Sequence, residues 1–213
     1  MNDRALDELV KIAGPVSRET FVVLQNFLTE FHRWNRVTNL VAPSTLEETW
    51  NRHVLDSAQL RRLSPLALRW VDLGSGGGFP GLILAILLRE SPGAHVHLIE
   101  SNRKKAAFLQ AMSGLFTLPT TVHAHRIEGV RGKIEMPDAV SSRALAPLSQ
   151  LLGLGEPFLS GGATGYFHKG REYRREVEES SHSWSYELIE HASVVESQSV
   201  VLEIRRLERI RPQ

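Results

Sequence analysis

The chain has no cysteine among its 213 residues, which excludes a disulfide framework and any thiolate metal site. It also lacks an apolar run as long as a membrane span and carries no strong excess of either charge, the formal net charge being +1. A polycationic nucleic-acid-binding tail is excluded on that ground, so any contact with nucleic acid has to come from a local patch. The first ten residues are acidic and polar rather than basic and then apolar, and do not read as a signal peptide. No internal repeat or low-complexity segment is present. These absences predict a soluble, cytoplasmic chain without metal, long enough for one large α/β unit with an appended part.

Glycine, by contrast, is concentrated. The stretch Trp70-Val71-Asp72-Leu73-Gly74-Ser75-Gly76-Gly77-Gly78-Phe79-Pro80-Gly81 runs from a short apolar strand into a glycine-rich turn, then into the apolar run 82–88. Pro80 stands where a first helical turn tolerates a residue without an N–H. Glycines there accept positive φ and let a ligand reach bare backbone N–H groups in front of a helix dipole. Two registers share these glycines. From Gly76, the pattern Gly76-x-Gly78-x-x-Gly81 with Glu100 further on satisfies a dinucleotide fingerprint. From Asp72, an acid lies under the loop, where it would repel a pyrophosphate but could pair with the cationic amino-acid end of S-adenosylmethionine.

The spacing of Phe21, Leu24, Leu28 and Phe31 predicts a helix over 17–34, which the asparagine-containing segment Trp34-Asn35-Arg36-Val37-Thr38-Asn39-Leu40 then breaks. Capping-box patterns from Pro43 start another helix that carries Arg52, His53 and Asp56 within about one turn, a spacing that reads most simply as a surface ion pair beside a histidine. Residues 1–64 thus form a helical N-terminal part, and 65–213 an α/β core. Strands are predicted at 95–100, 121–127, 138–143 and 163–168, with helices at 102–113, 148–158 and 171–179. Two further strands, 186–195 and 199–207, are joined too closely to be parallel. The result is a mostly parallel, Rossmann-like seven-stranded sheet that ends in an antiparallel hairpin.

Ligands of such sheets gather at the carboxyl ends of the strands. Asp72, the Gly74 to Gly78 loop, Glu100, the Arg126-Ile127-Glu128 step, Arg143 and Lys169 all fall there. Glu100 suits ribose hydroxyls, or serves as an acid at the start of the following helix. Arg126, Arg143 and Lys169 would together make a cationic rim for a phosphate-bearing substrate.

The order of these pieces resembles the RsmG (GidB) family of bacterial small-subunit ribosomal RNA guanine-N7 methyltransferases. The resemblance is carried by Trp34-Asn35-x-x-x-Asn39-Leu40, Arg52-His53-x-x-Asp56-Ser57, the Asp72 to Gly81 loop, Lys104-Lys105-x-x-Phe108-Leu109, Ser142-Arg143-Ala144 and Lys169-Gly170. It implies a class I S-adenosylmethionine-dependent methyltransferase fold and a monomer that modifies N7 of guanine 527 (usual rRNA numbering) in 16S rRNA, as free RNA or small subunit. On the matching positions it implies cofactor contacts at Gly74, Phe79, Glu100, Ile127, Glu128 and Arg143, beside Asp72, Gly76 and Gly78 of the loop, and an RNA-facing patch at Arg126, Arg143 and Lys169. The sequence departs from the family pattern at Val41, where Thr is frequent, and at His168, where an aliphatic residue is usual.

Guanine N7 has a lone pair and no proton, so no catalytic base is expected. An enzyme for an exocyclic amine would more often show Asn/Asp-Pro-Pro-aromatic after the fourth strand, where this chain has Ser141-Ser142-Arg143-Ala144. A nicotinamide-dependent oxidoreductase and a non-catalytic ribosome-assembly module remain as alternatives.

Overall fold

Alternate residues of the strand that leads into the glycine loop face two separate cores, and the layering of the molecule follows from that. The computed structural model describes residues 3–130 and 132–210. Seven strands, β1 (Arg69–Leu73), β2 (His95–Ile99), β3 (Thr120–His123), β4 (Ala139–Arg143), β5 (Thr164–Lys169), β6 (Trp184–Ala192) and β7 (Val200–Arg209), form one sheet in the order β3-β2-β1-β4-β5-β7-β6. The first five are parallel, whereas β7 runs antiparallel to both β5 and β6, as the short connection before it predicts.

Trp70 of β1 joins a core with Val96, Leu98, Ala139 and Tyr166, while Val71 and Leu73 join the opposite one with Ile99, Val140 and Phe167. Covering both faces is what makes these strands read as continuous apolar runs. On one face lie α1 (Asp3–Ala13), α2 (Arg18–Thr38), α3 (Asp56–Leu63), α4 (Gly81–Leu88) and α5 (Arg103–Leu115); α6 (Leu148–Leu159) and α7 (Tyr173–Ser181) cover the other. Helix α4 is apolar all round because it is wedged between the sheet and the layer of α2 and α3. The N-terminal helices share their core with α4 and α5 through Phe27, Phe31, Leu82 and Phe108.

Several elements differ from the sequence expectations. Helix α1 was not expected. Helix α2 runs on to Thr38 and ends on Asn39 in the left-handed region, φ 49°, because Asn35 stays helical and reaches forward instead of breaking the turn. Its Oδ1 accepts from the N–H groups of Leu40 and Val41, at 2.8 and 3.1 Å. The segment with Arg52 and His53 is a π-helical stretch, Thr49–Leu55, in which the Asp56 N–H bonds back to the Asn51 carbonyl; such widened turns recur at functional sites. Pro80 precedes α4 as its N-cap residue, not as its first helical one. Strand β3 stops at His123, and residues 127–130 form a 3-10 turn where a crossover helix would usually lie. No described helix is long and apolar enough to cross a membrane.

Candidate functional site

A cleft of about 560 Å³ opens at the carboxyl ends of β1, β2 and β4, inside the range usual for small-ligand sites. Its floor is the turn after β1. Gly74 and Gly76 have φ of 70° and 52°, which glycine alone adopts at little cost. The Ser75 N–H bonds the Ile99 carbonyl at 2.9 Å and fastens the loop to β2. A Cβ on Gly74 would stand 2.6 Å from the Leu145 side chain, so the loop and the segment after β4 close on each other across the cleft.

Glu100 is buried and acts as the acid at the start of the following helix. One carboxylate oxygen accepts from Gly76 N–H at 2.9 Å and the other from Asn102 N–H at 2.6 Å, so it braces the glycine loop and the entry to α5. Each oxygen keeps a further lone pair for a ligand hydroxyl. Asn102 then caps α5 through its own side chain.

The walls bring together Gly74, Gly76, Phe79, Glu100, Ile127, Glu128, Arg126 and Arg143. Asp72 and Gly78, also expected at the ligand, are not on them. Asp72 lies under the loop: one oxygen accepts from Ser141 Oγ at 2.7 Å, and the other abuts Gly81 at the start of α4 without a hydrogen-bond partner. Burial pushes its carboxyl up to about 6. Gly78 is turned toward the Leu82 side chain.

The cationic rim is also rearranged. Lys169 is buried, its Nζ donating to Glu176 at 2.6 Å and to the Ala146 carbonyl at 2.8 Å. Arg143 lies 3.5 Å from Asp56. Arg126 alone of the three is exposed and has no ion-pair partner among the described residues. It follows β3 at the sheet edge, with β2 and β1 between it and β4, so the three cations are not on successive strands.

The helical layer supplies a wall that the sequence reading missed: Leu40, Val41, Ala42, Thr45 and His53. The turn that Asn35 holds presents Leu40 against Gly77, whose added Cβ would come within 3.2 Å of the Leu40 carbonyl. His53 is buried, not at the surface. Its ring stacks on Phe79 with centroids 5.0 Å apart, and its Nε2 lies 3.0 Å from Thr45 Oγ1. Burial, with Arg143 and Arg52 nearby, lowers its pKa to about 4. Lys105 and Gln150 also reach the cleft. The asparagine pair and the Lys104-Lys105 pair were the available signals, but neither says where a side chain points.

Asp56, buried likewise, ties the π-helical segment to the strand ends. Its Oδ1 accepts from Gln59 Nε2 at 2.8 Å and Ser193 Oγ at 3.2 Å; its backbone carbonyl is 2.9 Å from His168 Nε2. A second cleft of about 180 Å³, lined by Arg52, Asp56, Arg143, Ala144, His168, Lys169, Gly170, Val195, Glu196 and Ser199, adjoins the first at Arg143 and Ala144. No group of three or more potential metal ligands occurs among the described residues.

The family profile described as rRNA small subunit methyltransferase G matches residues 21–206. The chain is similar to the ribosomal RNA small subunit methyltransferase G of Chelativorans sp. (strain BNC1), 53% identical over 202 residues, which cover 95% of this chain and 96% of that one. It is 49% identical over 207 residues to the protein of that name from Brucella canis, with 97% of each covered. Among solved structures it is similar to cofactor-bound Rv0187 from MTB (TM-score 0.59, 13% identity, 96% of this chain and 95% of that one). A SAM-dependent O-methyltransferase from Thermotoga maritima also superposes (TM-score 0.53, 14% identity, 73% and 66% covered). At such identities the likeness concerns the fold, which is that of the class I S-adenosylmethionine-dependent methyltransferases. The profile spans most of the sequence and the relatives match at about half identity along nearly all of it, so the chain belongs to the rRNA small subunit methyltransferase G family.

Proposed function

We propose that the chain is a cytoplasmic, monomeric 16S rRNA methyltransferase that uses S-adenosylmethionine to methylate N7 of a guanine, guanine 527 in the usual numbering. The larger cleft fits the methyl donor. Glu100 keeps lone pairs for both ribose hydroxyls, Ile99 and Ile127 offer apolar contact to an adenine, Glu128 lies beside it, and the bare backbone of Gly74 to Gly77 receives the amino-acid end. Asp72 sets this loop from beneath. Bound there, S-adenosylmethionine would supply a sulfonium methyl, whose carbon the N7 lone pair would take while the carbon–sulfur pair stayed on sulfur, with no proton lost.

The state of two ionisable groups in the cleft, Glu100 and His53, supports the choice of N7. Glu100 already accepts two backbone N–H groups, and His53 is held neutral, pulled down to about 4. Neither is set to remove a proton at neutral pH, which suits a nucleophile that has none. Positioning then carries the rate. An arginine forked onto both O6 and N7 would occupy the attacking lone pair; Arg143, drawn toward Asp56, serves O6, phosphate or the donor instead.

Mapping modified nucleosides in 16S rRNA from cells with and without this protein tests the reading. One 7-methylguanosine should vanish with the gene and return with it. A changed base methylated on an exocyclic nitrogen would overturn the assignment.

A further inference from the structure

We infer that the smaller cleft is the seat of the target guanine and that Glu196 reads its Watson–Crick edge; this rests on the methyl-transfer reading above. The cleft meets the larger one at Arg143 and Ala144 and is bounded on its far side by the turn between β6 and β7, which brings Glu196 and Ser199. That turn is fixed. Ser193 Oγ donates to Asp56 and accepts from the N–H groups of Val195 and Glu196, and the Val194 N–H bonds Gln59 Oε1 at 3.3 Å. The Glu196 side chain has no hydrogen-bond or ion-pair partner among the described residues, whereas the other charged groups of the cleft are taken up in ion pairs: Arg52 with Glu48, Arg143 with Asp56 and Lys169 with Glu176.

The order of groups matches one base. Around guanine run N7, O6, N1–H and the exocyclic N2–H₂. With N7 toward the donor's cleft, O6 meets Arg143, which lines both clefts and is held in place by Asp56, 3.5 Å from its buried Nη1, and the two adjoining donors point at the far wall. A carboxylate accepts both in a forked pair; adenine offers no N1–H, and cytosine has neither the edge nor an N7. As N7 gains the methyl, positive charge spreads over the base and makes N1–H a stronger donor, so the Glu196 contact tightens in the transition state.

The test compares 16S rRNA carrying guanosine or inosine, which lacks the N2 amine, at the target position, with the wild type and Glu196→Gln. Equilibrium RNA binding, single-turnover methyl transfer and S-adenosylmethionine affinity are measured. The wild type should prefer guanosine about tenfold in transfer, and Glu196→Gln, which offers one acceptor and a misplaced donor, should lose roughly ten- to a hundredfold on guanosine RNA and most of its preference over inosine. Ser199→Trp, which fills the cleft, should abolish transfer while cofactor affinity stays unchanged in both variants. Unaltered discrimination in Glu196→Gln, normal transfer by Ser199→Trp, or weakened cofactor binding by Glu196→Gln would each overturn the inference alone. Failure of the wild type to methylate guanosine RNA at all would instead overturn the reading on which it rests, and the inference with it.

Discussion

Replacing Asp72 by Asn should stabilise the protein at neutral pH. The carboxyl is buried, with one oxygen on Ser141 and the other lacking a hydrogen-bond partner beside Gly81, and burial raises its pKa from 3.8 to about 6. At about 1.4 kcal/mol per pKa unit, keeping that charge inside the fold costs up to about 3 kcal/mol at pH 7. The sign follows from proton counting. Between about pH 4 and pH 6 the folded chain holds a proton that the unfolded chain has lost, so stability falls as pH rises through this window; below it both states are protonated and the cost is gone. Asn fits the same space, with its NH₂ toward Ser141 Oγ and its oxygen toward the start of α4. The gain of Asp72→Asn should therefore be full at pH 7, shrink from pH 6 to pH 4, and be absent below. Urea denaturation of both proteins at several pH values measures it. A loss of stability at pH 7, or a gain independent of pH, would refute the reasoning. Calorimetry adds a second readout: since Asp72 is off the cleft wall, cofactor affinity should fall less than tenfold, whereas a direct pair with the donor's ammonium would cost more.

Gly74→Val should weaken S-adenosylmethionine binding by about 2 kcal/mol or more, because the branched side chain takes up positive φ against Leu145; unchanged affinity in a folded variant would remove the loop from the site. Arg126→Ala should lower the log–log salt slope of RNA binding by about 1. Lys169→Ala should leave that slope alone and cost roughly 2 kcal/mol of stability, since it leaves the partly buried Glu176 carboxylate with only the Leu148 N–H; the opposite pattern in salt titration and urea melts would restore Lys169 to the RNA surface. The single-turnover rate at saturating RNA and cofactor should be flat from about pH 6 to 9, because burial holds the pKa values of His53, His123 and His168 below their ordinary range and keeps them neutral there. A rise near pH 6.5 that disappears with one histidine would revive an exocyclic-amine acceptor.

The sheet was legible because its strands are short apolar runs cut by glycine and proline, and the final hairpin because seven residues separate β6 from β7. The glycine loop and Glu100 were legible because a strand end, a loop and an acid at fixed spacing have few other uses. Asp72 was not: the sequence places an acid beneath the loop but cannot say that its carboxylate turns to Ser141. Lys169 failed for a similar reason, because a lysine at a strand end looks solvated until a glutamate seven residues on, carried by a helix, folds back over it. His53 and Asp56 read as surface groups because helical spacing predicts neighbours on one helix, not the Phe79 ring that stacks on His53 or the strand end 112 residues from Asp56 that packs on it. Helix α1 was passed over because its first residues are polar, and its core contact, Leu9, is made to a distant part of the chain.

The amide oxygen of Asn35 has a consequence beyond its own turn. By holding the backbone at 40 and 41 it makes the last residues of the helical layer one side of the ligand cleft, and the His53 ring from the same layer props Phe79 on the glycine loop. A fragment starting at residue 65 would retain every strand and the loop, but its cleft would be a trough open along one flank, with Phe79 facing water. The layer that ends in Asn35 and His53 is thus a jaw of the site, and whatever moves it changes the width of the cleft.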